Sequence, residues 1–331
     1  MEEINLQSVK SLLPPLYYEL SKVKEGELAY KHYLVRHPGA IFSITFSETL
    51  TSFNLLYKKV SNVQAIGNVC DDTNRDELIS LTKELLLRLV NYFESGYEIF
   101  LCFCPSTEDP PKSELYKWFS KQSYKSALDD YFPNTNKFLE RYRKLLNALK
   151  HSSNQLRIFQ FINPENNGST IGFYIEGVNS EGAVGPIADF HPLDGDKYTA
   201  WSYNLHLKNF YFLIYEIAFQ AEQVVKKLCV SNSISLSELT NPLSSPNLES
   251  LAKDVFQNMA RLNHPTFFHF PQEARESTKI PSLSEKHDAL IFSDYKPGDR
   301  VVPKDSKAVM SAKGDGFSRN FSLPYFKGEE K

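Results

Sequence analysis

Apolar residues recur at helical spacing in four long stretches of the chain. Leu78, Leu81, Leu85, Leu89 and Tyr92 mark the first, which Thr73 and Asp76 open with a cap signature and Gly96 is placed to close. Phe138, Tyr142, Leu145 and Leu149 mark a second helix, from about Asn136 to His151, with Asn134 or Thr135 as its cap. A third covers Lys208 to Leu228 and is apolar around most of its girth, from Phe210 and Leu213 to Val225, which predicts burial on more than one side. Leu248, Leu251, Ala252, Val255, Phe256 and Met259 mark the fourth.

Elsewhere the pattern shortens. A short helical pattern at Leu6, Val9, Leu12 and Leu13 is interrupted by Pro14 and Pro15. Ala40 to Phe46 (AIFSITF) has strand composition, and Ser47 then fits the cap of a helix carrying Leu50, Phe53, Leu56, Tyr57 and Val60. A short helix is predicted at Glu114 to Phe119. RIFQFINP and TIGFYIEG, separated by Asn167-Gly168, predict two strands joined by a turn, and SEGAVGP continues as turn. Residues 230–247 are rich in Ser, Asn and Pro and predict a loop. Strand-like runs follow at Ala289 to Phe292, Arg300 to Val302 and Phe317 to Leu323.

The predicted architecture is therefore α+β: mainly a helical bundle, with a small antiparallel sheet inserted and irregular C-terminal strands. A division into 1–155, helical, and 156–331, mixed and packed on the same core, follows from strong helices on both sides of the strand segment. At 331 residues with 41% hydrophobic and 13% aromatic content, the chain has ample material for a core.

A formal charge of −3 excludes a global basic field, so any polyanion site is local. No run approaches the roughly 18 apolar residues a membrane helix needs, and the N-terminus MEEINLQSVK has neither the basic nor the apolar region of a secretion signal. A cytoplasmic protein without membrane contact is the expectation. The four cysteines, Cys70, Cys102, Cys104 and Cys229, fit no zinc or redox spacing. Alternation in EIFLCFCP would put Cys102 and Cys104 on one face of a strand, as buried free thiols.

The helix ending NALKH carries the most informative polar pattern. At about 100° per residue, Arg143, Asn147 and His151 fall near 0°, 40° and 80°, while Phe138, Tyr142, Leu145 and Leu149 centre near 240°. A histidine among Arg141, Arg143, Lys144, Lys150 and Arg157 has the composition for proton transfer beside a phosphate. A plainer reading also fits, because cations in a last turn satisfy terminal carbonyls and the helix dipole.

LLNALKHSS resembles the N-x-x-K-H helix end of the HEPN superfamily, helical bundles that include metal-independent RNases and prokaryotic defence toxins. The resemblance covers some forty residues. It implies a homodimer cleaving RNA without metal or other cofactor, with His151 as acid/base, Asn147 as the orienting polar group, Arg143 and Lys150 stabilising phosphate, and Lys144 and Arg157 helping to bind substrate. The family's arginine precedes its histidine by four to six residues. Here Arg143 has seven residues between it and His151, and the residue at the permitted spacing is Lys144.

Other readings stay open. A noncatalytic module would use the same stripe to bind a partner protein. A metal-dependent enzyme would use Asp189, His191, Asp194 and Asp196 in DFHPLDGD, although Pro192 and Gly195 also mark that stretch as a turn. A nucleotide could sit on the Gly314-Asp315-Gly316 turn beside Ser318 and Arg319, which also suits a hairpin. His264 and His269, five apart, align on neither a helix nor a strand. No G-x-S-x-G, H-E-x-x-H, kinase or Rossmann pattern is present.

Overall fold

A computed structural model describes residues 12–66, 71–105, 110, 115–129, 131–150, 154–162, 169–178, 184–191, 193–194, 197–198, 200–235, 245–262, 280–286, 289–295 and 307–310. Four long helices form an up-and-down bundle: α2 (Pro38–Ile66), α3 (Asp72–Leu101), α5 (Tyr131–Lys150) and α6 (Tyr203–Ser231). Short α1 (Pro15–Ser21) and α4 (Leu115–Phe119) and the later α7 (Pro246–Arg261) pack around them. The pairs Thr45–Ser95 and Lys59–Asn74 run α2 antiparallel to α3. Gln64–Asn204 and Phe53–Tyr211 do the same for α2 and α6, and Phe138–Phe210 and Tyr142–His206 for α5 and α6.

The sheet is inserted between α5 and α6. β1 (Gln155–Ile162) and β2 (Ser169–Val178) pair antiparallel, with Leu156 opposite Ile175 and Ile158 opposite Phe173. β3 (Val184–Pro186) joins the outer edge of β2, and farther along the same strand β6 (Trp201–Ser202) pairs with it at Gly172 and Phe173. β4 (Leu193–Asp194) and β5 (Lys197–Tyr198) form a separate small pair. Two later segments, β7 (Ile280–Lys286) and β8 (Ala289–Tyr295), make a hairpin, and β9 (Lys307–Met310) completes the main sheet against β1. The architecture is thus α+β, a helical bundle with a small antiparallel sheet. One buried cluster runs from Leu13 to Leu262. No helix among the described residues is long and apolar enough to cross a membrane.

Several local expectations are corrected. Ala40 to Phe46 is helix, because Ile41, Phe42, Phe46, Leu50 and Phe53 continue one buried stripe at helical spacing. Its β-branched and hydroxyl residues are accommodated by back-bonding: Thr45 Oγ1 donates to the Ile41 carbonyl at 2.9 Å and Thr49 Oγ1 to that of Thr45 at 2.7 Å. Ser47 is interior and bonds the Ile44 carbonyl, so it caps nothing. The cap of α3 is Asp71, whose carboxylate accepts from the Thr73 N–H at 3.0 Å, and the helix runs through Gly96 to Leu101.

Cys102 and Cys104 consequently follow a helix end instead of lying in a strand; with Cys229 they are buried free thiols. Burial pushes the Cys102 thiol up to about 12 and Cys229 to about 11. Helix α5 starts at Tyr131, before Pro133, whose missing N–H falls among first-turn donors with no helical partner. Thr135 is inside the helix, its hydroxyl bonded to the Tyr131 carbonyl at 2.6 Å. Pro15 opens α1 at its first position, where proline is favoured. The strand-like runs at 300–302 and 317–323 lie outside the described residues, as do residues 1–11.

Candidate functional site

The second half of α5 presents its apolar stripe inward, with Leu145 sealed and Phe138 and Tyr142 each 8% exposed. Phe138 meets Phe93 at a ring separation of 4.2 Å and stacks on Tyr142 at 4.1 Å, which fixes the rotation of the helix about its axis. That rotation leaves Lys144, Asn147 and Lys150 exposed and Arg143 half-buried. The outward polar strip inferred from spacing is therefore present from Arg143 to Lys150. His151 lies outside the described residues.

Two cations of this strip, Arg143 and Lys144, are engaged. Arg143 donates from Nε to Glu94 Oε1 on α3 at 2.8 Å, its Nη2 lies 2.7 Å from the same oxygen, and its guanidinium sits 5.7 Å from the Tyr116 ring centre. Lys144 pairs with Asp189 at 2.8 Å, both side chains more than half exposed. Such exposed pairs contribute about 0–1 kcal/mol and exchange readily for another anion. Arg157 differs. Its Nε donates to Glu176 Oε1 at 2.8 Å, and the Tyr174 hydroxyl donates to the other carboxylate oxygen at 3.1 Å, all three on one buried side of the β1–β2 pair. The side chains are 13% and 5% exposed for Arg157 and Glu176, so this guanidinium braces the sheet.

The Asp189–His191 stretch is a turn, while Pro192, Gly195 and Asp196 lie outside the described residues. The Phe190 and His191 N–H groups both donate to the Ile187 carbonyl, at 3.0 and 2.9 Å. His191 is sealed and its Nε2 accepts the Ile175 N–H at 2.8 Å, which commits that nitrogen to holding the turn against β2. Asp189 is exposed and faces Lys144, not the imidazole's bonded edge. Among the described residues, no group of three or more His, Cys, Asp or Glu side chains is arranged to hold a metal ion. Residues 264, 269, 314–316, 318 and 319 lie outside the described residues.

Sequence spacing did not reveal what surrounds the start of α6. Trp201 is buried between two histidines, 4.6 Å from the His191 ring and stacked on His206 at 5.5 Å, with the Arg141 guanidinium 5.8 Å from its centre. Ser202, Asn204, His206 and Lys208 are all buried polar residues within the first turns of this helix. Their alternation through WSYNLHLK was the available signal, obscured because alternation reads as strand whereas the segment from Tyr203 is helical. Comparison with protein-family models, curated proteins and solved structures finds no match.

Proposed function

We propose that this is a HEPN-like, metal-independent endoribonuclease, a toxin-like effector of prokaryotic defence that works as a homodimer through the C-terminal end of α5. The observation that supports the reading is the exposure of Asn147 and Lys150 on the side of α5 away from its buried stripe. His151 follows directly in the chain and would move the 2′-hydroxyl and leaving-group protons. Lys150 and Arg143 would bear the charge developing on the phosphate, and Asn147 would orient the imidazole.

Arg143 reaches phosphate by giving up Glu94, an exchange that costs little for a pair about 36% and 43% exposed. Lys144 can add substrate contacts by releasing Asp189. Arg157 is assigned to the sheet and takes no part. The test is cleavage of single-stranded RNA in EDTA. The reading requires activity in the wild type and its loss in His151→Ala, with light scattering showing a dimer. An inactive, well-folded wild type would refute it.

A second reading, a noncatalytic module that binds a partner protein through the same strip, is favoured by the carboxylate pairing of Arg143 and Lys144. It expects no RNA cleavage, and partner binding that weakens in Asn147→Ala and Lys150→Ala.

A further inference from the structure

Lysine is rarely buried without a carboxylate beside it, because removing its charge from water is costly. Lys208 retains 8% of its exposure, and no ion pair or hydrogen bond joins it to another described residue. It stands one turn after Asn204, which is equally buried and whose side-chain oxygen accepts from Gln64 Nε2 of α2 at 3.2 Å. Residues four apart lie on one face of a helix, so Lys208 and Asn204 share a face of α6.

That end of α6 is electropositive. The helix is 29 residues long, and its N-cap Ser202 makes no side-chain cap bond. The Ser202 hydroxyl is fully buried with no hydrogen-bond partner among the described residues. The register set by Gln64–Asn204 and Phe53–Tyr211 brings the α2 turn at Tyr57 to Val60 opposite Lys208. Lys58 there is exposed, and Lys59 is turned to Glu77 and Asn74. On α7, which also packs on α6, Lys253 and Asp254 are exposed and make no pair with Lys208. Burial lowers the amine of Lys208 to about 8, leaving it largely protonated at neutral pH. Lys208 and Asn204 thus lie one turn apart on α6, the orphan Ser202 hydroxyl stands at the N-terminus of the same helix, and no carboxylate bonds Lys208 among the described residues.

We propose that Lys208, with Asn204 and the first turn of α6, binds a small oxyanion of phosphate type, free or carried by a nucleotide. The assignment is independent of the nuclease reading, because Lys208 lies on α6 and the catalytic strip on α5.

The experiment measures thermal unfolding of the full chain against increasing inorganic phosphate, and separately adenosine 5′-monophosphate, at constant ionic strength. Reductive methylation with peptide mapping follows the amine of Lys208 in parallel. The expected result is a saturable rise in midpoint together with protection of Lys208, and binding about tenfold to hundredfold weaker in Lys208→Met. Tighter binding of the monophosphate identifies a nucleotide as the source; saturation by phosphate alone with equal affinity identifies the free ion. Lys208→Met keeps the stem and removes a buried charge, so it preserves the fold, and Asn204→Ala provides a second, milder variant. A rise of equal size in wild type and Lys208→Met, which general exclusion of phosphate from protein surface would give, overturns the proposal, as does an unprotected Lys208 at saturating phosphate.

Discussion

Gly96 is the residue whose replacement tests the packing of the bundle most directly. It lies inside α3, where the first-order effect of Gly96→Ala is a gain of about 1 kcal/mol in helix propensity. The added Cβ, however, would overlap the Tyr131 hydroxyl and stand 2.9 Å from its Cζ. Tyr131 has little freedom to retreat: it is sealed, edge-packed on Phe100 at 4.9 Å and on Tyr97 at 5.5 Å, and its hydroxyl donates to the Phe93 carbonyl at 3.2 Å. Overpacking costs about 1–3 kcal/mol, and loss of the buried hydroxyl's bond about 1–3 more. After the propensity gain, the substitution should destabilise by about 1–5 kcal/mol. Urea unfolding followed by far-ultraviolet circular dichroism measures it. Tyr131→Phe in the same background removes the atom that overlaps and should recover part of the loss. A Gly96→Ala protein as stable as wild type, or more so, would refute the claim that this glycine is there to seat a ring.

Three further outcomes are expected. Asp71→Ala removes the cap of α3 and should cost about 1 kcal/mol in the same unfolding assay. Glu176→Ala strands the buried Arg157 and should cost about 3–5 kcal/mol, whereas the double change to methionine at 157 and 176 should recover most of it; equal losses in single and double variants would contradict the pairing. For Lys208 the folded-state value of about 8 lies below that of an unfolded lysine, so the unfolded chain binds more protons between the two. The penalty is complete below pH 8 and relaxes as pH rises toward about 10.4. Wild type should therefore gain on Lys208→Met by about 1–2 kcal/mol between pH 7 and 9.5 after allowance for screening, read from paired urea titrations without added phosphate.

The long helices were legible because their apolar spacing repeats over several turns, and the β1–β2 pair because its runs flank Asn167-Gly168. Ala40 to Phe46 misled because Ile, Phe and Thr favour strands by composition while their buried positions follow a helical period. Gly96 misled for a related reason: a glycine late in a helix reads as a stop, and only the distant Tyr131 gives it another purpose. The strip from Arg143 to Lys150 was visible in the spacing, but its pairing with Glu94 and Asp189 was not, since those carboxylates lie 49 and 45 positions away. The burial of Lys208 depends on α6 packing against elements distant in sequence, α2 among them, which no local pattern encodes.

The contacts of α6 and α7 have a consequence for how the chain is made. Tyr203 bonds Thr82 across 121 positions, Asn204 meets Gln64 across 140, Tyr215 reaches Leu12 across 203, and Asn258 reaches Asn54 across 204. During synthesis, α2 and α3 leave the ribosome long before the helix that covers their apolar faces exists. At about 5–20 residues per second, the hundred or more residues between them correspond to several seconds of exposure. The half-made chain is therefore a client for chaperones, and truncations that stop before α6 should accumulate as aggregates instead of as smaller folded proteins.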